Sequence, residues 1–247
     1  MQLEALKTPV SNDSKKPTKQ AQKATKEEEE KSDKQDKKNQ ITKWIASLQV
    51  SRNYPKKYPS LVLKHANIAE LCSLLLYPNM KEFTECCAGF NALFPTLDSE
   101  WRRSKSVVCY CIGDGYRPQL AAMVTCQTAW RQVFCIDPSL QIEKWNKAFA
   151  AITPDKWIKQ IEERVIMRKQ KSQEFTEIVQ DAPMSIVIGV HSHHDFSEFW
   201  KRLPSPAIGV AIPCCVEQVV DNEDPVCEFV DLGILETPCN GVKVWKK

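Results

Sequence analysis

From residue 106 onward the chain alternates short, dense apolar runs with longer amphipathic segments. Ser106–Ile112 (SVVCYCI), Gln132–Ile136, Met184–Val190 and Ala207–Ile212 are compact and rich in Val, Ile and Cys. Runs of that kind, bounded by turn residues, predict strands buried on both faces. Between them, Gln119–Ala129, most of 139–164, 172–180 and a short stretch ending at Leu203 read as helices, with a weaker strand at Arg164–Arg168. Two further short β candidates, Phe229–Leu232 and Val242–Trp245, lie near the end. Strands alternating with helices predict an α/β domain over 105–247, with a mostly parallel sheet flanked by helices. Upstream, 41–104 reads as a helical lead-in. Its segments Ile41–Val50, Leu61–Leu76 and Met80–Phe94 are punctuated by Pro55, Pro59, Pro78 and Pro95.

Residues 1–40 differ in kind. They hold no aromatic residue and no Cys, but 10 Lys and 8 acidic residues. Such a segment cannot bury enough apolar surface to offset its chain entropy, and it predicts a disordered charged tail. Its Lys patches, KKPTK and KQDKK, would suit nuclear import or nucleic-acid contact, whereas composition alone describes a solvated tail. Removing those 10 and 8 from the chain totals of 34 basic and 31 acidic residues leaves 24 and 23. Net charge therefore implies no strong duplex-binding surface. No apolar run approaches the roughly 20 residues of a membrane-spanning helix. The first residues, MQLEALKTPVSNDSKK, carry no apolar core of a secretory leader. Eleven Cys without such a leader read as reduced thiols of the cytoplasm or nucleus. The seven Trp are scattered and read as core.

Candidate chemistry falls at strand ends, where open α/β sheets bind ligands. After the first strand comes Gly113-Asp114-Gly115-Tyr116-Arg117-Pro118, then a helix. A glycine turn lets backbone approach a ligand, and the helix start offers free N–H groups. Asp137, 22 residues beyond Gly115 at the end of the next strand, is placed to accept the hydroxyls of a ribose. Pro118 stands where a dinucleotide fingerprint has its third glycine, which favours a nucleoside over NAD. A plain turn with a surface Asp is the alternative. After the fourth strand come His191, Ser192, His193, His194 and Asp195, and after the next strand Cys214 and Cys215. A neutral His can take a proton near pH 7. On an extended segment His191 and His193 would share a face and His194 would point away, with Asp195 capping the following helix. The histidines would otherwise only satisfy local backbone groups.

SVVCYCIGDGYRPQLAAMV followed by VFCIDPS resembles the first two motifs of class I, Rossmann-like S-adenosylmethionine-dependent methyltransferases, over about 106–245. The resemblance implies S-adenosylmethionine as cofactor, with Gly113, Asp114 and Gly115 cradling its methionine end and Asp137 holding its ribose. GVHSHHDF with AIPCCV is loosely similar to a subgroup carrying a Gly-Leu-His-x-Cys-Gly-Asp-Leu type motif and a later Cys-Cys pair. Characterised members of that subgroup include RNA-modifying enzymes. The resemblance thus implies methyl transfer to RNA, with His191 or His193 as base and His194, Asp195, Cys214 and Cys215 in the substrate cleft. A different class stays open, a catalytically inactive methyltransferase-like scaffold in an RNA or protein assembly. It is favoured by Cys111, which stands where many members have an acid, and by the absence of an Asn/Asp-Pro-Pro-aromatic motif. A metal hydrolase is a third class, since HSHHD resembles the start of the metallo-β-lactamase signature. Phe196 replaces its next His, and only His65 remains elsewhere. Zinc on His191, His193, Cys214 and Cys215 is chemically conceivable, but adjacent Cys rarely serve one ion. No structural metal is expected.

Overall fold

The structure, a computed structural model, describes residues 76–151, 156–215, 217–234 and 240–247. The expected tail 1–40, the helix Ile41–Val50 and the helix Leu61–Leu76 up to residue 75 lie outside the described residues. Among the described residues, seven strands form one sheet in the order β3-β2-β1-β4-β5-β7-β6. They are β1 (Val108–Ile112), β2 (Gln132–Ile136), β3 (Val165–Arg168), β4 (Ser185–Val190), β5 (Ala207–Ile212), β6 (Cys227–Val230) and β7 (Gly241–Lys246). The pairs β2–β3, β1–β2, β1–β4 and β4–β5 are parallel, and β7 is antiparallel to both β5 and β6. The fold is therefore α/β, with a mostly parallel, Rossmann-like sheet flanked by helices.

Successive strand residues face opposite sides. Cys109, Cys111, Val133, Cys135, Ile186, Ile188, Ile208 and Val210 face one core. That core is closed by α1 (Met80–Asn91), α3 (Gln119–Gln127), α4 (Ile142–Ala150) and α5 (Lys156–Arg164). Val108, Tyr110, Ile112, Phe134 and Val187 face a second core, closed by Phe196, Phe199 and Trp200 of α6 (Phe196–Arg202) and by Phe175. A short α2 (Ser99–Arg103) precedes β1. α1 lies close across the end of β4 because Gly89 has no side chain. A Cβ there would sit 2.7 Å from Val190 Cγ2.

Two expectations need correction. The helix over 172–180 is a single 3₁₀ turn, Ser172–Glu174, followed by chain without regular secondary structure. Tertiary contacts override helical propensity here. Phe175 is fully buried against Tyr110 and Phe134, with ring centroids at 6.0 and 5.3 Å. The Val179 N–H donates to Tyr110 Oη at 2.9 Å, and Arg202 donates to the carbonyls of Ser172 and Phe175 at 2.6 Å each. The strand expected at Phe229–Leu232 runs instead over Cys227–Val230. Pairing from Cys227↔Val244 to Val230↔Gly241 sets this register, and Asp231 then turns the chain by accepting the Gly233 N–H. No helix among the described residues is long and apolar enough to cross a membrane.

Candidate functional site

The strand order reverses direction between β1 and β4, and the carboxyl ends of these two strands open into a cleft. Two adjoining hollows of about 330 and 540 Å³ share Gly113, Gly115, His191 and His193 in their walls. That is the position and size of a small-molecule site in an open α/β sheet.

The glycine loop forms one wall. Gly113 and Gly115 both have φ +74°, a conformation that favours glycine. A Cβ on Gly113 would lie 2.6 Å from Ser192 Oγ and 2.8 Å from Ser192 Cα, so the loop after β1 and the loop after β4 touch there. Gly115 faces open space. Asp114 borders the cleft, but its carboxylate is taken up by the protein's own donors. Its carboxylate accepts the N–H groups of Leu120 and Ala121, at 2.8 and 3.1 Å, and the Cys135 thiol at 3.3 Å. Burial pushes its pKa up to about 6, against the pull of those same donors. The N-terminus of α3 thus already carries an anion, and a pyrophosphate has no free helix N–H groups to meet there.

Asp137, at the end of β2, is 6% exposed. It accepts the backbone N–H of Ser139 at 2.7 Å, the Ser139 hydroxyl, and the Gly115 N–H at 3.0 Å. His194 Nε2 lies 3.9 Å from its Oδ2. Burial alone would raise this carboxyl, but His194, Ser139 and Gly115 outweigh it and hold the pKa down at about 2. Asp137 is a fixed negative charge between the two glycines and the histidine loop.

The histidine loop departs from the extended geometry expected for it. His191 takes φ +50°, which ends the strand alternation and sends the three imidazoles to different partners. His191 Nε2 lies 3.1 Å from Glu85 Oε1 on α1. His193 Nε2 lies 3.2 Å from Cys214 Sγ, and Cys215 Sγ is 3.8 Å away. His194 does not point away, because it closes on Asp137. All three histidines border the cleft. Asp195 caps α6 as expected, accepting the Glu198 N–H at 2.9 Å.

Glu85 was not singled out from the sequence. It is 4% exposed, with Lys81 Nζ 3.5 Å from the same Oε1 that faces His191. The available signal was a carboxylate on the apolar face of a helix, among Phe83, Cys86, Cys87 and Phe90. A buried charge of that kind is rare unless it is paired. Ser139, Lys171 and Gln173 were also missed, the last because 172–180 was read as a helix. The arrangement offers an acidic cleft built from Glu82, Glu85, Asp114 and Asp137, a bounded glycine loop, and an imidazole against a buried carboxylate.

No protein-family model matches the chain. No curated protein matches it by sequence. Among solved structures, it is similar to one described as an S-adenosylmethionine-dependent methyltransferase from Listeria monocytogenes, at 13% identity and a TM-score of 0.32, over 51% of this chain and 54% of that one. It is also similar to coclaurine N-methyltransferase bound to N-methylheliamine and SAH, at 8% identity and a TM-score of 0.32, over 84% of this chain and 60% of that one. The chain thus spans between half and two thirds of the length of these two solved structures.

Proposed function

We propose that the chain is an S-adenosylmethionine-dependent methyltransferase acting on RNA. The observation that carries the cofactor reading is the state of the α3 N-terminus. Asp114 fills it, so a phosphate finds no free helix N–H groups there, and the cleft's acids Glu82, Glu85, Asp114 and Asp137 outnumber its bases Lys81 and Lys171, which suits a cationic nucleoside. The sheet supports the same choice. An antiparallel β7 separates β5 from β6, unlike the dinucleotide-binding order 3-2-1-4-5-6. Gly115 leaves room for the methionine end, and Asp137 is the acceptor for ribose hydroxyls. The RNA reading rests on the sequence resemblance.

When bound, S-adenosylmethionine supplies an electrophilic methyl group on its sulfonium sulfur. The chain's own part is chiefly positioning. Asp137 and the glycine loop fix one reactant, and the walls bearing His193 and Cys214 orient the other. His191 takes the proton that the nucleophile loses, and its Nε2 lies 3.1 Å from Glu85 Oε1. Glu85 is a positioning residue for this imidazole.

A second reading, the inactive scaffold, is favoured by one observation. Asp137 already accepts two bonds from Ser139 and one from Gly115, with His194 alongside. The test is transfer of label from methyl-tritiated S-adenosylmethionine by the full chain, offered RNA, protein and small-molecule fractions in parallel. Label in RNA that is lost in His191→Asn supports the proposal. Label in another fraction overturns the RNA assignment, and no label with any fraction supports the scaffold.

A further inference from the structure

We propose that His193, Cys214 and Cys215 form a binding site for a borderline-soft divalent cation, foremost Zn²⁺, at the rim of the cleft. The histidine comes from the loop after β4 and the cysteines from the loop after β5, two neighbouring strands. Their ligand atoms all lie within 4.8 Å of one another. The Cys214 and Cys215 sulfurs are 3.6 Å apart, and His193 Nε2 is 3.2 and 3.8 Å from them. A tetrahedral Zn²⁺ with bonds of about 2.3 Å to sulfur and about 2.0–2.1 Å to nitrogen requires S···S edges of about 3.8 Å and N···S edges of about 3.5 Å. The three side chains therefore already outline one face of that tetrahedron.

Adjacent cysteines seldom serve one ion, but the bend after Pro213 brings both sulfurs to the same side. The donor set suits a borderline-soft ion, since thiolate and imidazole select Zn²⁺ over Mg²⁺ or Ca²⁺. Binding would release the two thiol protons to solvent, leaving two thiolates to balance the 2+ charge. His191, the fourth residue weighed from the sequence, is turned to Glu85 instead. Three protein ligands and an open fourth position are the pattern of a reactive zinc site rather than a closed structural one. His193 and Cys214 also line the cleft, so that position lies beside the proposed reaction space. This inference does not depend on methyl transfer.

The test is titration of the tag-free full chain with Co²⁺ alone, under a phosphine reductant. One equivalent should produce a sulfur-to-cobalt charge-transfer band and the strong visible absorption of a tetrahedral ion, and one equivalent of Zn²⁺ should bleach both. Cys214→Ser and Cys215→Ser should each lose at least half of the charge-transfer intensity, and His193→Ala should lose the tetrahedral spectrum. Cys227→Ser, a partly exposed thiol on β6, should change nothing. Circular dichroism verifies folding for each variant. Absence of a sulfur band in the folded wild type, or its survival at full strength in either vicinal Cys variant, overturns the proposal.

Discussion

Alanine at the two loop glycines separates backbone strain from steric exclusion. Gly113 and Gly115 share φ +74°, so either substitution meets the same left-handed conformation, worth roughly 1–2 kcal/mol for an L-residue. Their surroundings differ. The Gly115 Cβ would meet nothing within 4 Å, so strain is the whole effect, about 1–2 kcal/mol. The Gly113 Cβ would meet Ser192 Oγ at 2.6 Å and Ser192 Cα at 2.8 Å. The hydroxyl could rotate, but the Cα belongs to the loop that also carries His191 and His193. Overpacking of this kind adds about 1–3 kcal/mol, giving about 2–5 kcal/mol for Gly113→Ala. The assay is urea unfolding of the full chain at pH 7, read as the change in midpoint at constant slope. Gly113→Ala should lose clearly more stability than Gly115→Ala and should disturb the His191 and His193 resonances. Equal losses would refute the claim that the β1 and β4 loops are in contact.

Other predictions follow from single residues. Asp137 has its pKa lowered from 3.8 to about 2, so its stabilising contribution is present above about pH 4 and is lost as pH falls through 2. That difference is worth about 2 kcal/mol. Asp137→Asn should therefore be less stable by about that amount at pH 6, with the gap narrowing between pH 4 and 2.5 in urea titrations; a constant gap contradicts the assignment. Phe175→Ala should cost about 3–5 kcal/mol and lower the melting temperature by about 10 °C, read by calorimetry, because the ring fills the core between Tyr110, Phe134 and Phe199. A loss under about 1 kcal/mol would mean that Phe175 is not part of that core. His191→Asn should slow methyl transfer by about 100-fold with cofactor affinity retained. Glu85→Gln should slow it by about tenfold and shift its pH profile, whereas a merely structural Glu85 would leave the profile in place.

The sheet was legible because its central strands are buried on both faces. SVVCYCI, SIVIGV and AIGVAI have no polar alternation to confuse with a helix, and each forms a strand within two residues of its expected ends. The segment 172–180 misled because its structure comes from distant partners. Tyr110 and Arg202 bond its backbone, and neither is visible locally. At the site, the position of Asp137 and the cap by Asp195 could be read from spacing. The directions of the histidines could not, because one left-handed residue, His191, cancels the period-two rule for everything after it. Asp114 was placed correctly in the loop, yet its carboxylate serves α3, since proline at the helix start supplies no side-chain cap of its own. Glu85 lies about a hundred residues before its partner, and only the packing of α1 over β4, through Gly89, brings them together.

The central claim is that the cleft between β1 and β4 binds S-adenosylmethionine through Asp137. The direct measurement is calorimetric titration of the full chain with S-adenosylhomocysteine and S-adenosylmethionine, beside Asp137→Ala verified as folded at the same temperature. The account predicts micromolar binding of one molecule per chain, no heat with NAD, and a loss of at least about tenfold in affinity in the variant. A folded wild-type chain that binds neither compound, or a variant that binds as tightly as wild type, would contradict it.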